Sequence, residues 1–235
     1  MLTLKPNKGF VYVATNHKRY ITCARYSAIS LKEYWPESHI TLFTHEEWVN
    51  KSDKSIFDNI ITNDVPNHVR AKLWALDKTP YDLTCYIDVD TEVMHDDVRF
   101  IFDQHDTNSN ISLTKARRYA ASIDPKFSEG ELTDHCGLFI YDNKPETFLF
   151  MQKWWELYQK QYNREWNWDT TLYPEFFRTF DMWTYWWLQN KTEYKIKRSF
   201  FPEPDARWNF VYIYKQEELM GQPIVIKHTP VPTIL

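Results

Sequence analysis

The chain has 235 residues, of which 43% are hydrophobic, 26% charged and 17% aromatic, with a formal net charge of −4. That balance suits one globular domain able to bury a core without disulfides or structural metal, and it excludes a disordered or fibrous chain. The negative charge gives no global argument for nucleic-acid or anionic-membrane binding, while leaving room for a local basic patch. Cys23, Cys85 and Cys136 are far apart and form no CxxC, which predicts free thiols in a reducing, cytoplasmic compartment. The apolar run at the N-terminus is shorter than a signal peptide needs, and nothing approaches the ~20 apolar residues of a membrane span.

In chain order, "GFVYVAT" (Gly9 to Thr15) is a β-branched and aromatic run, predicted as a buried strand. The next stretch places Tyr20, Cys23, Ala24, Ser27, Ala28 and Leu31 at helical spacing, and Pro36 ends it. Strands are predicted at His39 to Thr44 and Phe57 to Asn63. "HVRAKLWALDKTP" reads as a helix that stops before Pro80, and "LTCYIDVD" as the strand after it. Further strands are predicted at Asn110 to Ala116 and His135 to Asp142, around a loop rich in breakers. From Lys144 to Asn190 the pattern is mostly helical and holds seven of the 11 tryptophans. "YKIKRSF", "NFVYIY" and "PIVIKH" close the chain as short strands. Alternating strands and helices predict an α/β fold with a mostly parallel sheet, whose ligands bind beyond the carboxyl ends of the strands.

Asp88 and Asp90 fall at such an end, in "CYIDVDTEV". One Asp after a strand is an ordinary turn former or cap. Two at alternate positions share a face of an extended chain, and clustered acids are costly unless something compensates them. Hard divalent cations such as Mn²⁺ or Mg²⁺ take carboxylate oxygens and leave positions open for phosphate. A carboxylate pair flanking a glycosidic bond is the competing use, and the shared face suits joint metal binding better.

"PYDLTCYIDVDTEV" resembles the DxD segment of GT-A-fold glycosyltransferases, which use nucleotide sugars. "VYVATNHKRYITCARYSAISLKEYWPESHITLFT" is similar to their nucleotide-binding opening, "VRAKLWALDKTPYD" to the helix before the DxD, and "DHCGLFIYDN" to the strand after it. "IVIKHTP" is similar to the C-terminal segment whose His completes the metal site. The likeness covers roughly residues 9 to 142 plus the tail. It implies a GT-A (Rossmann-like) central sheet flanked by helices, in one domain. Residues 1–142 would be the nucleotide-sugar half, and 143–235 the acceptor side with its aromatic-rich helices.

The resemblance also implies roles. Asp88, Asp90 and His228 would hold Mn²⁺ or Mg²⁺, with Asp90 the firmer ligand and Asp88 also near the ribose or sugar of the donor. Thr15, Asn16 and Tyr20 would line the nucleoside pocket, while Arg70 and Lys72 would face donor phosphate or sugar. Asp181 would be the acid near sugar and acceptor. The partner would be a nucleoside diphosphate sugar, of uridine by expectation, with a glycan or modified DNA among the possible acceptors. Each role has a plainer rival. Tyr20 lies on the helix's apolar stripe, and Asp181 is placed to cap the next helix. Arg70 and Lys72, two apart on a predicted helix, do not share a face, so one at most is expected in the cleft.

His135 stands where the family carries the Asn of Asn-x-Gly, and "HTPVP" lacks the Gly and Lys that many members have after the His. Diphosphate neutralisation is then expected from the metal plus Lys227, Arg117 or Arg118. Lys115, Arg117, Arg118 and Lys126 are read as a loop that orders over the donor phosphates, as a contact for an acidic acceptor, or as exposed charge. Trp154, Trp155, Trp183, Trp186 and Trp187 are expected mostly in the core. Trp166 or Trp168 is the candidate for acceptor contact. Two other functions stay open. A sugar nucleotidyltransferase is disfavoured by the Gly-free "ATNHKRY" after the first strand, and a non-catalytic glycan- or nucleic-acid-binding module leaves the paired acids unexplained.

Overall fold

A computed structural model describes residues 7–117, 134–166 and 180–229. Its elements in chain order are β1 (Lys8–Ala14), α1 (Arg19–Tyr34), β2 (Ile40–Thr44), β3 (Asn59–Ile61), α2 (Ala71–Ala75), β4 (Leu83–Ile87), β5 (Thr91–Val93), β6 (Ile111–Lys115), β7 (Asp134–Asp142), α3 (Pro145–Tyr162), α4 (Met182–Lys191), β8 (Arg198–Phe200), β9 (Phe210–Val211) and β10 (Ile226–His228). Arg118, Lys126, Trp168 and the breaker-rich loop lie outside the described residues.

Among the described residues the main sheet has seven strands in the order β3-β2-β1-β4-β7-β6-β8. The β3-β2-β1-β4 run is parallel, β7 is antiparallel to both β4 and β6, and β8 returns parallel to β6. β1 shows why the sheet is covered on both faces. Phe10, Tyr12 and Ala14 enter the core on the α1 side. Val11 enters the other core with Phe139, Trp154 and Tyr185, under α3 and α4. Side chains alternate across a strand, so a continuous apolar run needs a layer on each face. Full burial of a large apolar side chain contributes about 1.5–3 kcal/mol. The wholly buried Phe10, Phe43, Phe139 and Trp154 are therefore major anchors of this three-layer arrangement.

The helix predicted over "HVRAKLWALDKTP" shortens to α2 and one 3₁₀ turn, Leu76–Lys78. Arg70 stands outside it, with φ −119° and ψ 34°. "NFVYIY" keeps only the two residues of β9, which joins β5 and β10 in a second sheet of order β5-β10-β9. The two halves of the chain thus interleave: β8 completes the main sheet, and β10 pairs with β5 from the first half. Trp154 and Trp183 are core residues, whereas Trp155, Trp186 and Trp187 are half-buried. Trp166 meets Trp187 edge-on at 5.2 Å. Cys23, Cys85 and Cys136 are free and buried. Among the described residues no helix is long and apolar enough to cross a membrane.

Candidate active site

β4 ends at Ile87, and the chain turns through Asp88, Val89 and Asp90 into β5. The turn is pinned from two sides. The Asp88 N–H donates to the Gly137 carbonyl at 2.8 Å, and the Thr91 hydroxyl donates to the Asp88 carbonyl at 2.8 Å. β10 runs antiparallel to β5 with His228 opposite Thr91, and the Thr229 N–H donates to the Asp90 carbonyl at 2.9 Å. This pairing brings His228 to the acids. Its Nε2 lies 3.2 Å from Asp90 Oδ1 and 4.0 Å from Asp88 Oδ2. One ligand atom each from Asp88, Asp90 and His228 lie within 4.8 Å of one another.

Two carboxylate oxygens and one imidazole nitrogen suit a hard divalent cation. The room for it depends on Gly137. A Cβ at that position would lie 2.8 Å from Asp88 Oδ2 and 2.9 Å from His228 Cε1. Asp88 divides its oxygens: Oδ1 accepts from the Tyr86 hydroxyl and from Lys72, and Oδ2 faces His228. The residues present therefore fit a cation such as Mn²⁺ or Mg²⁺. Burial disfavours ionisation of Asp90, but the hydrogen bond and charge of His228 outweigh it and hold the carboxyl below its usual range. Burial likewise disfavours a charged His228, and Asp90 followed by Asp88 outweighs it, so the imidazole is more basic than usual.

A cationic wall stands beside the acids. Lys72 Nζ lies 2.9 Å from Asp181 Oδ2 and 3.3 Å from Asp88 Oδ1, and donates to the Cys136 carbonyl at 2.7 Å. Burial would discharge this lysine, but Asp181 and then Asp88 raise its pKa instead. Arg70 Nε lies 3.9 Å from Asp181 Oδ1. The expectation that only one of these two cations enters the cleft is corrected. Arg70 precedes α2 on non-helical backbone, so the helical rule against residues two apart does not apply to the pair. The side chain of Asp181 does not cap α4, and it is committed to Lys72 and Arg70.

Two adjoining lobes of about 290 and 300 Å³ share Arg70, Lys72, Asp88 and Asp90. The first is also lined by Thr15, Arg19, Tyr20 and Tyr86. Thr15 donates its hydroxyl to the His68 carbonyl at 2.8 Å, tying the turn after β1 to the segment before α2. Tyr20 serves both rival readings, since it packs on the α1-side core and lines the lobe. Asn16 is exposed, takes the left-handed φ of 68°, and is not among the lining residues; it shapes the turn.

The second lobe adds Arg117, His135, Gly137, Phe180, Asp181, Val211, Tyr214 and His228. His135 Nδ1 accepts from Gly137 N–H at 3.1 Å and faces Asn209 Nδ2 at 2.8 Å. Burial, then the charge of His228, pushes its pKa down to about 3, so the ring is neutral. Arg117 departs from the expected phosphate lid. Its guanidinium donates to Asp205 Oδ1 and Oδ2 at 2.6 and 3.1 Å and to Glu218 Oε2 at 3.0 Å. Asp205 is fully buried, and a carboxylate there needs a committed cation. Lys115 pairs with Glu203 at the end of β6. Lys227 lies on β10 opposite Glu92, outside both lobes.

Sequence reasoning missed Arg19, Tyr86, Gly137 and Asn209. Tyr86 was findable, because it precedes Asp88 by two on an extended chain and shares its face. Asn209 carries no local signal; it reaches the site only because β9 lies beside β10.

No protein-family model matches this chain, and no curated protein sequence matches it. Solved structures do. Glycosyltransferase GlyE of Streptococcus pneumoniae TIGR4 superposes with a TM-score of 0.62 at 17% identity over 94% of this chain, which spans 54% of that protein's chain. The galactosyltransferase LgtC, solved with donor and acceptor sugar analogs, gives 0.55 at 13% identity over 94% of this chain and 86% of its own. Mouse xyloside xylosyltransferase 1 gives 0.56 at 10% identity over 95% and 98%. With its seven-stranded, mostly parallel sheet and flanking helices, this chain has the GT-A-like fold of glycosyltransferases.

Proposed function

We propose that the protein is a metal-dependent glycosyltransferase that moves a sugar from a nucleoside diphosphate sugar to an acceptor hydroxyl. The convergence of Asp88 and Asp90, shared by both lobes with Arg70 and Lys72, on His228 of the second lobe carries this reading. A bound Mn²⁺ or Mg²⁺ would supply positive charge against the diphosphate that leaves the anomeric carbon.

The chain's own residues do the rest. Thr15, Arg19 and Tyr20 line the lobe where the nucleoside binds. Lys72 and Arg70 face the diphosphate, with their charge kept by Asp181 and Asp88. Pre-organised cations of this kind favour the charge that develops on the leaving oxygen. Asp181 orients both cations from the side where sugar and acceptor meet. The apolar wall of Phe180, Met182, Val211 and Tyr214 lines the acceptor side. All four of these residues come from the second half of the chain, and His228 returns from it to the metal group.

The test is hydrolysis of nucleotide sugars, preceded by a thermal-shift screen of several nucleoside diphosphate sugars with and without Mn²⁺. Slow, metal-dependent donor cleavage is expected in the parent and lost in Asp90→Ala. Cleavage at the parent rate in Asp90→Ala would remove the metal role. Triphosphate consumption with pyrophosphate release would replace transfer by nucleotidyl chemistry.

A further inference from the structure

The two histidines of the second lobe are held by one carboxamide, Asn209. Its Nδ2 faces His135 Nδ1 at 2.8 Å and Thr114 Oγ1 at 3.1 Å, and its Oδ1 faces His228 Nδ1 at 3.0 Å. Asn209 is almost wholly buried, at 1% exposure, so solvent does not compete for these contacts. Which way the amide points, and which nitrogen of each ring carries a proton, follows from a group whose polarity is fixed. The backbone N–H of Gly137 can only donate, and it lies 3.1 Å from His135 Nδ1. His135 Nδ1 is therefore a lone pair. A lone pair requires the NH₂ end of Asn209, and the oxygen end is left for His228. An oxygen there requires a proton on His228 Nδ1. The remaining nitrogen, Nε2, faces Asp90 and Asp88: in the charged ring it donates to Asp90, and once the ring is neutral its lone pair is free toward the carboxylates that would hold the cation. Neutral His135 carries its own proton on Nε2. Among the described residues nothing accepts from that nitrogen, and the ring lines the second lobe.

Resting on the function proposed above, we infer that Asn209 is the positioning residue of the site. Oriented by the Gly137 amide, it sets His228 as an Nε2 metal ligand and His135 as a fixed N–H donor into the cleft. The donor would meet a lone-pair oxygen, a sugar hydroxyl or a phosphate, and would reject a group that can only donate. Metal-ligating histidines in general have their second nitrogen fixed in this way, and losing that partner typically weakens metal affinity 10–100-fold, on the order of magnitude expected here.

The experiment reads tautomers directly. Long-range ¹H–¹⁵N correlation spectra of the metal-free protein, at alkaline pH where both rings are neutral, should show His228 protonated on Nδ1 and His135 on Nε2. In Asn209→Ala, the His228 ring should become a mixture, and Mn²⁺ affinity measured by calorimetry should fall by about 10–100-fold. Asn209→Asp separates the two halves. A carboxylate still accepts from His228, so that tautomer and Mn²⁺ binding persist, but it cannot donate to His135, whose signals should change. Circular dichroism checks folding, and if the alanine variant does not fold, the parent and aspartate spectra decide. A parent His228 protonated on Nε2 alone would overturn the inference. So would an Asn209→Ala variant with unchanged tautomers and Mn²⁺ affinity within about twofold of the parent. These readouts need no nucleotide sugar. A parent with the expected tautomers and Mn²⁺ binding, but inert toward every donor, supports this inference and removes the proposed function.

Discussion

Gly137→Ala places one methyl group in the middle of the candidate metal site. Gly137 is on β7 and its φ is not in the left-handed region, so alanine meets no backbone penalty there. The effect is steric. The new Cβ would lie 2.7 Å from His135 Cε1, 2.8 Å from Asp88 Oδ2 and 2.9 Å from His228 Cε1. Ordinary contacts of this kind begin at about 3.5 Å, so each neighbour must retreat by roughly 0.6–0.8 Å or share that shift with β7. Metal sites tolerate ligand displacements of about 0.2 Å. Two of the three ligands would exceed that. A loss of at least about 100-fold in Mn²⁺ affinity is expected, equivalent to ~2.8 kcal/mol. Overpacking also costs about 1–3 kcal/mol of stability, so the protein should remain folded. Calorimetric titration with Mn²⁺ and a thermal melt measure both quantities. Gly221→Ala is the control: its φ is 77° and nothing lies within 4 Å of its Cβ, so it should lose about 1 kcal/mol of stability and no metal affinity. A folded Gly137→Ala protein that binds Mn²⁺ like the parent would refute the assignment of Asp88 and His228 to one cation.

Other outcomes follow from the same geometry. Arg117→Ala should cost about 3–5 kcal/mol by leaving Asp205 charged and buried, and lower the melting temperature by roughly 10 °C. An unchanged melt with weakened donor binding would return Arg117 to the diphosphate. Lys72→Met removes the cation between Asp181 and Asp88, and should lower kcat/KM for donor cleavage by about 100-fold or more. A change of less than about tenfold would show that Arg70 and the metal suffice. The pKa of His228 is raised above 6.5, so a proton competes with the cation below that raised value. Mn²⁺ affinity should therefore weaken as pH falls through it, by about tenfold per pH unit, and level off above it. Calorimetry from mildly acidic to alkaline pH checks the sign, and affinity that rises on acidification would contradict it. In the metal-free protein the same raised pKa makes the His228 contribution to stability fully present below about 6.5 and lost as pH rises through the folded value.

How much was readable in one dimension depended on how local the cause was. The positions of β1, β2 and β4 follow from unbroken apolar runs, because strands covered on both faces are apolar throughout, and that of α1 from a buried face that repeats every 3.6 residues. The acids after β4 were legible because the carboxyl ends of parallel strands are where open α/β sheets bind ligands, and "IDVD" marks such an end. Helix length over 70–78 was misjudged: periodicity does not show that Arg70 leaves the helix for Asp181. Charge type was legible in Arg117, but its destination was not, since Asp205 and Glu218 lie 88 and 101 residues away in the chain.

The sequence by itself determined the layered α/β architecture, the acidic turn and the free thiols, because each depends on residues that are neighbours in the chain or repeat along it. Only the tertiary structure decided which distant groups complete the site. His228 reaches Asp90 because β10 pairs with β5, and Asn209 reaches both histidines because β9 pairs with β10. Those pairings are backbone hydrogen bonds between segments far apart in sequence. Register across a sheet, and not spacing along the chain, sets which side chains meet.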